Sequence, residues 1–262
     1  MIQVNKRILI KIGGRAFSDK SAFQELATAI KNMDAEVIIV HGGGAEISQA
    51  LNDAERETLF IDGVRVTQKE DVEIVERLLS GTINSRIAGY LEDFGAPAQR
   101  LSGKTDGLLI AKRTKRNGKD IGLVGEIVGV NPGVILAALE KGHTPVVSPI
   151  SADEKGVTYN VNADAAAAAL AVGAGCSDLV YFSDVPGILD ERQETIPAIS
   201  VDAGEFLIQS GIIAGGMVAK IESIFAAVRG GVERVHITQW QGPETLELLI
   251  NGGQLRKTTI HD

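Results

Sequence analysis

The feature that most restricts how this chain folds is a series of short, uninterrupted apolar runs separated by helical patterns. The runs are "ILIKI" at 8–12, "EVIIV" from Glu36 to Val40, "TPVVSP" from Thr144 to Pro149, "DLVYFSD" from Asp178 to Asp184 and "RVHIT" from Arg234 to Thr238. Helical periodicity lies between them, at Phe23 to Met33, at Ala45 to Ala54, in an Ala-rich stretch from Asp164 and in a stretch from Met217. A strand with one wet face alternates apolar and polar residues, whereas a run apolar throughout is covered on both faces, and helical crossovers make such strands parallel. The expectation is an α/β sandwich with a mainly parallel central sheet. A second texture interrupts it: Leu108 to Arg113 and Ile121 to Val128 read as an antiparallel hairpin flap around an Asn-Gly turn.

The length of 262 residues allows one large domain or two lobes sharing a sheet, with the seam expected near Gly173-Ala174-Gly175. The net charge of −8 and the lack of a long basic block exclude an electrostatic footprint for nucleic acid. The densest basic run, Lys112 to Lys119, ends in Asn-Gly-Lys and reads as a solvated hairpin tip. Neither a signal-peptide core nor an 18-residue apolar run is present, so the expected protein is soluble and cytoplasmic, with no membrane partner. The single cysteine, Cys176, excludes an internal disulfide and reads as a small buried hydrophobe. His41, His143, His236 and His261 lack metal-ligand spacing, so histidine-based metal chemistry is not expected, and any metal is expected on carboxylates or on the substrate.

Open parallel sheets bind ligands at the carboxyl ends of their strands. Four segments place glycines or polar clusters at such ends. Lys11 precedes Gly13 and Gly14, the reverse of a Walker A loop, in which the lysine follows the last glycine and opens a helix. His41-Gly42-Gly43-Gly44 follows "EVIIV" and opens a helix, where main-chain N–H groups meet a carboxylate or phosphate; a tight turn alone would need one glycine. In "TYNVNAD" an extended strand puts Thr158, Asn160 and Asn162 on one face, with Asp164 starting the next helix; capping explains one of these polar groups, not all. Gly215-Gly216-Met217-Val218-Ala219-Lys220 opens a helix with Met217, Ile221, Ile224, Phe225 and Val228 as its apolar face. That places Lys220 in the first turn, where a lysine is either a phosphate ligand or a snorkelling surface residue. Ser102-Gly103-Lys104-Thr105 imitates a Walker A ending, but Ala98 stands where the first glycine belongs, and a strand follows instead of a helix.

Taken together, "KIGG", "VHGGG", "DGVRVT", "VNADAAAAALA", "SDVPGIL" and "GGMVAKIESIFAAV", in this order from about Ile8 to Ile250, resemble the amino acid kinase superfamily and, within it, the N-acetyl-L-glutamate kinase branch. The resemblance implies a three-layer αβα sandwich, ATP with Mg²⁺, and γ-phosphoryl transfer to the side-chain carboxylate of an N-acylated glutamate, on the route to arginine. It implies Lys11 on the acceptor side of the migrating phosphoryl group, Lys220 on the ATP side, and Asp164 holding both. It assigns Gly43, Gly44, Arg65 and Asn160 to the acylglutamate. Gly13 and Gly14, the run Asp184, Val185, Pro186, Gly187, Ile188 and Leu189, and Ile212, Ile213 and Ala214 go to the nucleotide.

The same resemblance divides the chain into a lobe at 1–175 for the acceptor and for dimerisation, and a lobe at 176–262 for ATP. It places Gly81-Thr82-Ile83-Asn84, in a long helix beginning near Glu70, on a homodimer interface. Two departures stand out: Arg15 after the glycine pair, and Arg256-Lys257-Thr258-Thr259 where the family usually has Gly-Thr. Only Met1 to Arg7 precede the first strand, too few for the extra N-terminal helix of arginine-inhibited members, so a dimer insensitive to arginine is expected. Alternatives are another acyl group such as succinyl, another member of the superfamily, or a non-catalytic sensor; a sensor should have lost Lys11, Lys220 or Asp164, and all three are present.

Overall fold

Each of the apolar runs becomes a strand of one sheet. The computed structural model describes residues 6–13, 17 and 19–262. Gly14, Arg15 and residues 1–5 lie outside the described residues, and with them the expectations placed on Gly14, on Arg15 and on most of the leading segment.

The strands are β1 (Lys6–Ile12), β2 (Ala35–His41), β3 (Phe60–Ile61), β4 (Val64–Arg65), β5 (Ala98–Ser102), β6 (Leu109–Arg116), β7 (Lys119–Val130), β8 (Thr144–Ser148), β9 (Ser151–Ala152), β10 (Thr158–Val161), β11 (Asp178–Phe182), β12 (Ala198–Ser200), β13 (Arg234–Thr238) and β14 (Lys257–His261). The helices are α1 (Lys20–Asn32), α2 (Gly44–Asp53), α3 (Val72–Glu76), α4 (Asn84–Asp93), α5 (Gly133–Glu140), α6 (Ala163–Gly173), α7 (Val201–Gln209), α8 (Gly216–Arg229) and α9 (Thr245–Asn251). A π-helical segment, Arg77–Ile83, joins α3 to α4, so the long helix expected near Glu70 runs from Val72 to Asp93 with one widened stretch.

The main sheet has eight strands in the order β12-β14-β13-β11-β1-β2-β8-β5, parallel except where β13 meets β14. Strands before residue 150 occupy one half and strands after residue 177 the other, and the halves meet where β1 pairs with β11. Strand order reverses there, which opens a crevice at the carboxyl ends of the two strands.

Side chains alternate across β1, and this decides which way the lysine of "ILIKI" points. Ile8, Ile10 and Ile12 join the core on the face covered by α1, α4 and α9. Leu9 joins the core on the face covered by α5, α6 and α8. Lys11 shares the parity of Leu9 and so emerges at the strand end between the N-termini of α6 and α8.

The flap differs from the expected simple hairpin. Its arms are longer than the pattern suggested, and β6 and β7 close with β9 and β10 into a four-stranded ring. The turn itself follows the Asn-Gly signal, with positive φ at Asn117 and Gly118. Its tip is solvated, with Asn117, Gly118 and Lys119 exposed, and Asn117 Nδ2 donates to Asp62 Oδ2 at 2.5 Å on the turn between β3 and β4. Cys176 is buried, as its surroundings suggested, and burial pushes its thiol up to about 12. Among the described residues no helix is long and apolar enough to cross a membrane.

Candidate active site

Three charged groups meet in the crevice. Lys11 Nζ lies 2.8 Å from Asp164 Oδ1, and Lys220 Nζ lies 2.8 Å from Asp164 Oδ2. Three separate elements deliver them: Lys11 ends β1, Asp164 sits in the first turn of α6, and Lys220 is the fifth residue of α8, just past the first turn where the pattern put it. Burial alone would raise the Asp164 carboxyl; the Lys11 and Lys220 ammonium groups outweigh it and hold the carboxyl at about 2. Burial pulls Lys220 below the ordinary lysine range, against the attraction of Asp164. The carboxylate is thus ionised at neutral pH and fixes the spacing of two cations.

The order of lysine and glycine in "KIGG" has a geometric reason. Gly13 N donates to Phe182 O at 3.2 Å, which turns the chain over the end of β11. The Lys11 ammonium folds back over that turn, and a Cβ on Gly13 would collide with Lys11 Nζ. Glycine here makes room for the strand's own lysine.

Beside the clamp a cavity of about 210 Å³ is lined by Lys11, Gly43, Gly44, Arg65, Asn160 and Asp164, with Leu79, Val124 and Pro149 among its apolar walls. Gly43 is the N-cap of α2 and leaves the first N–H groups of that helix without intrahelical partners. Arg65, from β4, stacks its guanidinium 4.7 Å from the Phe60 ring centroid. Its Nη2 donates to Gly44 O at 2.7 Å and to Ser48 Oγ at 2.9 Å, whereas Nη1 is buried without a hydrogen-bond partner. A buried guanidinium N–H in that condition is costly unless a ligand accepts from it. Asn160 Nδ2 donates to Thr67 Oγ1 at 2.9 Å, which orients the amide at the cavity wall. Asn162, the other amide of that strand face, caps α6: its Oδ1 accepts from Asp164 N at 2.7 Å and Ala165 N at 3.3 Å.

The β3–β4 turn reaches across to the far side of the crevice. A Cβ on Gly63 would lie 3.2 Å from Gly216 Cα, so this turn touches the glycine pair that opens α8. Gly215 takes a positive φ there, a conformation that suits glycine. The 184–189 loop is pinned from below. Gln239 Nε2 donates to Asp184 O at 2.7 Å, and Ile188 N donates to Thr258 Oγ1 at 2.8 Å, while Thr258 donates onward to Ile196 O at 2.7 Å. Thr258 belongs to the atypical C-terminal stretch, which therefore serves as the loop's anchor. Ile188 and Ile213 are core residues; Asp184 and Ala214 are exposed, and Val185, Pro186, Leu189 and Ile212 are half-buried at the rim, with Gly187 packed beneath.

Several participants were not legible. Tyr181, fully buried on β11, donates its hydroxyl to Asp164 O at 3.0 Å, and its ring centroid lies 5.1 Å from Lys220 Nζ. Burial drives its phenol far above the ordinary range. The only signal was a phenol in an otherwise apolar run, which needs a partner when buried. Phe60, Ser48 and Thr67 gave none. Asn84, expected on a dimer face, is turned inward and buried, while Thr82 and Arg86 carry the outer face.

Residues 6–239 match the Amino acid kinase family. Acetylglutamate kinase of Rhodospirillum centenum is 39% identical, over 95% of this chain and 86% of that protein, and acetylglutamate kinase of Methanothermobacter thermautotrophicus is 39% identical, over 94% and 89%. Among solved structures, a Streptococcus mutans protein superposes with a TM-score of 0.80 at 27% identity, covering 97% of this chain and 98% of that one. Giardia lamblia carbamate kinase bound to AMP-PNP shares the fold, with a TM-score of 0.70 at 15% identity over 99% of each chain. Strand order, crevice and sequence together place the chain in the amino acid kinase family.

Proposed function

We propose that this chain transfers the γ-phosphoryl group of MgATP to the side-chain carboxylate of N-acetyl-L-glutamate, giving N-acetylglutamyl 5-phosphate for arginine biosynthesis. The observation that carries the reading is the Lys11–Asp164–Lys220 clamp beside a cavity whose far wall presents Arg65 with one buried, unpartnered donor. Phosphoryl transfer leaves little covalent work to the protein and depends on in-line positioning and neutralisation of charge. Lys220 faces the leaving ATP phosphates, Lys11 the acceptor oxygen, and Asp164 keeps their separation fixed while charge passes between them. The Gly43 and Gly44 amides and the Arg65 fork take the acceptor's other carboxylate, and Asn160, oriented by Thr67, offers its Oδ1 to the acceptor's amide N–H.

The nucleotide belongs to residues 176–262, on Lys220 and the rims at 184–189 and 212–214, and the acceptor to residues 1–175. Gly13 approaches the phosphates from the β1 side. Mg²⁺ enters with the nucleotide. The acyl group follows from charge. Among the described residues lining the cavity the cations are Lys11 and Arg65, one for each carboxylate of acetylglutamate. A succinyl group would bring a third carboxylate against apolar walls, where an unpaired charge is costly.

The test is an initial-rate assay with MgATP and either acetylglutamate or succinylglutamate, with the acyl phosphate trapped by hydroxylamine. The expected result is hydroxamate from acetylglutamate at a kcat/KM at least about tenfold above the succinyl compound. No hydroxamate from either would refute the reading. We further assign a two-fold homodimer through the outer face of the 72–93 helix, to be checked by sedimentation; a monomer at working concentration would refute that part.

A further inference from the structure

The acceptor-side glycines are backed by a buried histidine for which the mechanism has no chemical use. His41 ends β2 and is 1% exposed. Its Nδ1 lies 3.0 Å from Gly42 O, and its Nε2 lies 3.1 Å from Asn84 Nδ2. The tautomer follows from the partners. Asn84 Nδ2 also lies 2.9 Å from Val146 O and 3.2 Å from Leu101 O, and carbonyls only accept, so the amide NH₂ faces all three groups. On the other side, Asn84 Oδ1 accepts from Arg100 Nε at 3.3 Å. His41 Nε2 must therefore be the acceptor, which leaves the proton on Nδ1 to be donated to Gly42 O. Burial agrees with a neutral ring, pushing His41 down to about 4.

The consequence reaches the cavity through one peptide plane. Gly42 C=O and Gly43 N–H belong to the same planar trans unit and point in opposite directions. Gly42 N is itself held, donating to Ile12 O at 3.1 Å. With Gly42 C=O drawn inward by His41, Gly43 N–H faces away from the core, toward the cavity that Gly43 lines. The π segment supports the arrangement from the same side: Leu79 and Ile83 close against Gly43, where a Cβ would collide with Ile83 Cδ1. Two glycines cannot hold such a plane by their own preferences, because each populates both signs of φ.

We propose that His41 and Asn84 are positioning residues that aim the Gly43 N–H donor at the acceptor's carboxylate, with Asn84 fixing the His41 tautomer and His41 fixing the peptide plane. The inference rests on the acylglutamate reading for the identity of the carboxylate. The geometry of the plane stands without it.

The test has two arms on the full-length protein. Kinetics compare wild type, His41→Leu, which removes both hydrogen bonds, and His41→Asn, whose amide NH₂ can replace Nδ1–H alone. The expected result is a rise of about tenfold or more in KM for acetylglutamate in His41→Leu, with KM for ATP within about twofold, and recovery of most of the loss in His41→Asn. Equal shifts in both KM values, no shift, or an asparagine variant as poor as the leucine one would overturn the proposal. The second arm needs no variant to fold: ¹⁵N–¹H correlation of the wild-type imidazole is expected to show a protonated Nδ1 and a bare Nε2 throughout pH 6–8, and the opposite tautomer or an imidazolium would overturn it. A wild type inert toward acetylglutamate that still shows the Nδ1–H tautomer would refute the substrate reading and leave the plane-setting pair in place.

Discussion

Two buried aspartates sit at opposite ends of the main sheet, and both are held at about 2. Asp178, fully buried at the amino end of β11, has Arg234 Nη2 at 2.8 Å, Lys6 Nζ at 3.2 Å, His236 Nε2 at 3.5 Å and Ser177 Oγ at 2.8 Å. Asp164, at the carboxyl end, has two lysines. By acidity the pair cannot be told apart, although Asp178 is fully buried and the Asp164 side chain is 15% exposed. What separates them is what the cations do next. Lys6 and Arg234, the cations around Asp178, lie about one-third exposed at the amino ends of β1 and β13, at the edge of the sheet opposite the Gly13 and Gly42–Gly44 turns. An ammonium carries three donors, and Lys11 and Lys220 each give one to Asp164 beside an open crevice flanked by helix N-termini. A perturbed carboxylate therefore marks a function only when the groups that perturb it face a crevice that also gathers further ligand donors, here the Gly43–Gly44 helix N-terminus and Arg65.

The comparison breaks most visibly in turnover. Lys11→Ala, Lys220→Ala and Asp164→Asn should each lower kcat by about 10²–10³, the scale of removing one preorganised electrostatic group, and raise either KM far less. Asp178→Asn should leave kcat within about twofold. If Asp178→Asn slows turnover as much as Asp164→Asn, the distinction fails.

Acid unfolding should instead treat the two alike. A carboxyl lowered from 3.8 to about 2 on folding contributes stability that is complete above the unfolded value and is lost as pH falls through the folded one. For Asp178 that amounts to about 2 kcal/mol, lost between about pH 4 and pH 2. Denaturant midpoints measured across this range should show a shallower pH slope in Asp178→Asn than in wild type; an unchanged slope would mean the ion cluster contributes nothing.

Arg65→Lys sharpens the contrast from the acceptor side. It keeps the charge but loses the planar fork, so KM for acetylglutamate should rise about tenfold with KM for ATP little changed. A collapse of ATP affinity instead would show the two halves of the crevice assigned in reverse. The smallest effect belongs to Thr258→Val, which leaves Ile188 N and Ile196 O without their partner. A loss of about 1 kcal/mol in stability and a rise of about threefold in KM for ATP should follow, and an unchanged KM would detach the C-terminal strand from nucleotide binding.

Local chemistry explains which of these features were legible. Runs such as "EVIIV" state their own structure, because a strand covered on both faces leaves no polar residue to place, and glycine clusters at strand ends mark close backbone approach wherever the fold puts them. Partnerships between distant segments carry no such mark. Tyr181 reaches Asp164, Asn160 reaches Thr67, and β9 closes the ring with β6, each only after the chain has folded. Asn84 is instructive because its helix was visible while its inward direction was not. A polar residue on a long helix is ordinarily wet, and only the widened turn before it brings Leu79, Ile83 and Asn84 onto one side.

That widened turn constrains how sequences of this kind can drift in length. A π segment amounts to one residue inserted into an α-helix, and each residue turns the helix by about 100°. Removing any one residue between Arg77 and Ile83 would let the segment relax to ordinary helix with little harm to its own hydrogen bonding. Because the widened turn spends its extra residue on the same full rotation, the stretch from Asn84 to Asp93 would keep nearly its facing, with Asn84 still toward His41 and Ile87 and Leu91 still in the core. A single deletion elsewhere in the helix, with no widened turn to absorb it, would instead swing Asn84 off His41 and read out at the glycine loop.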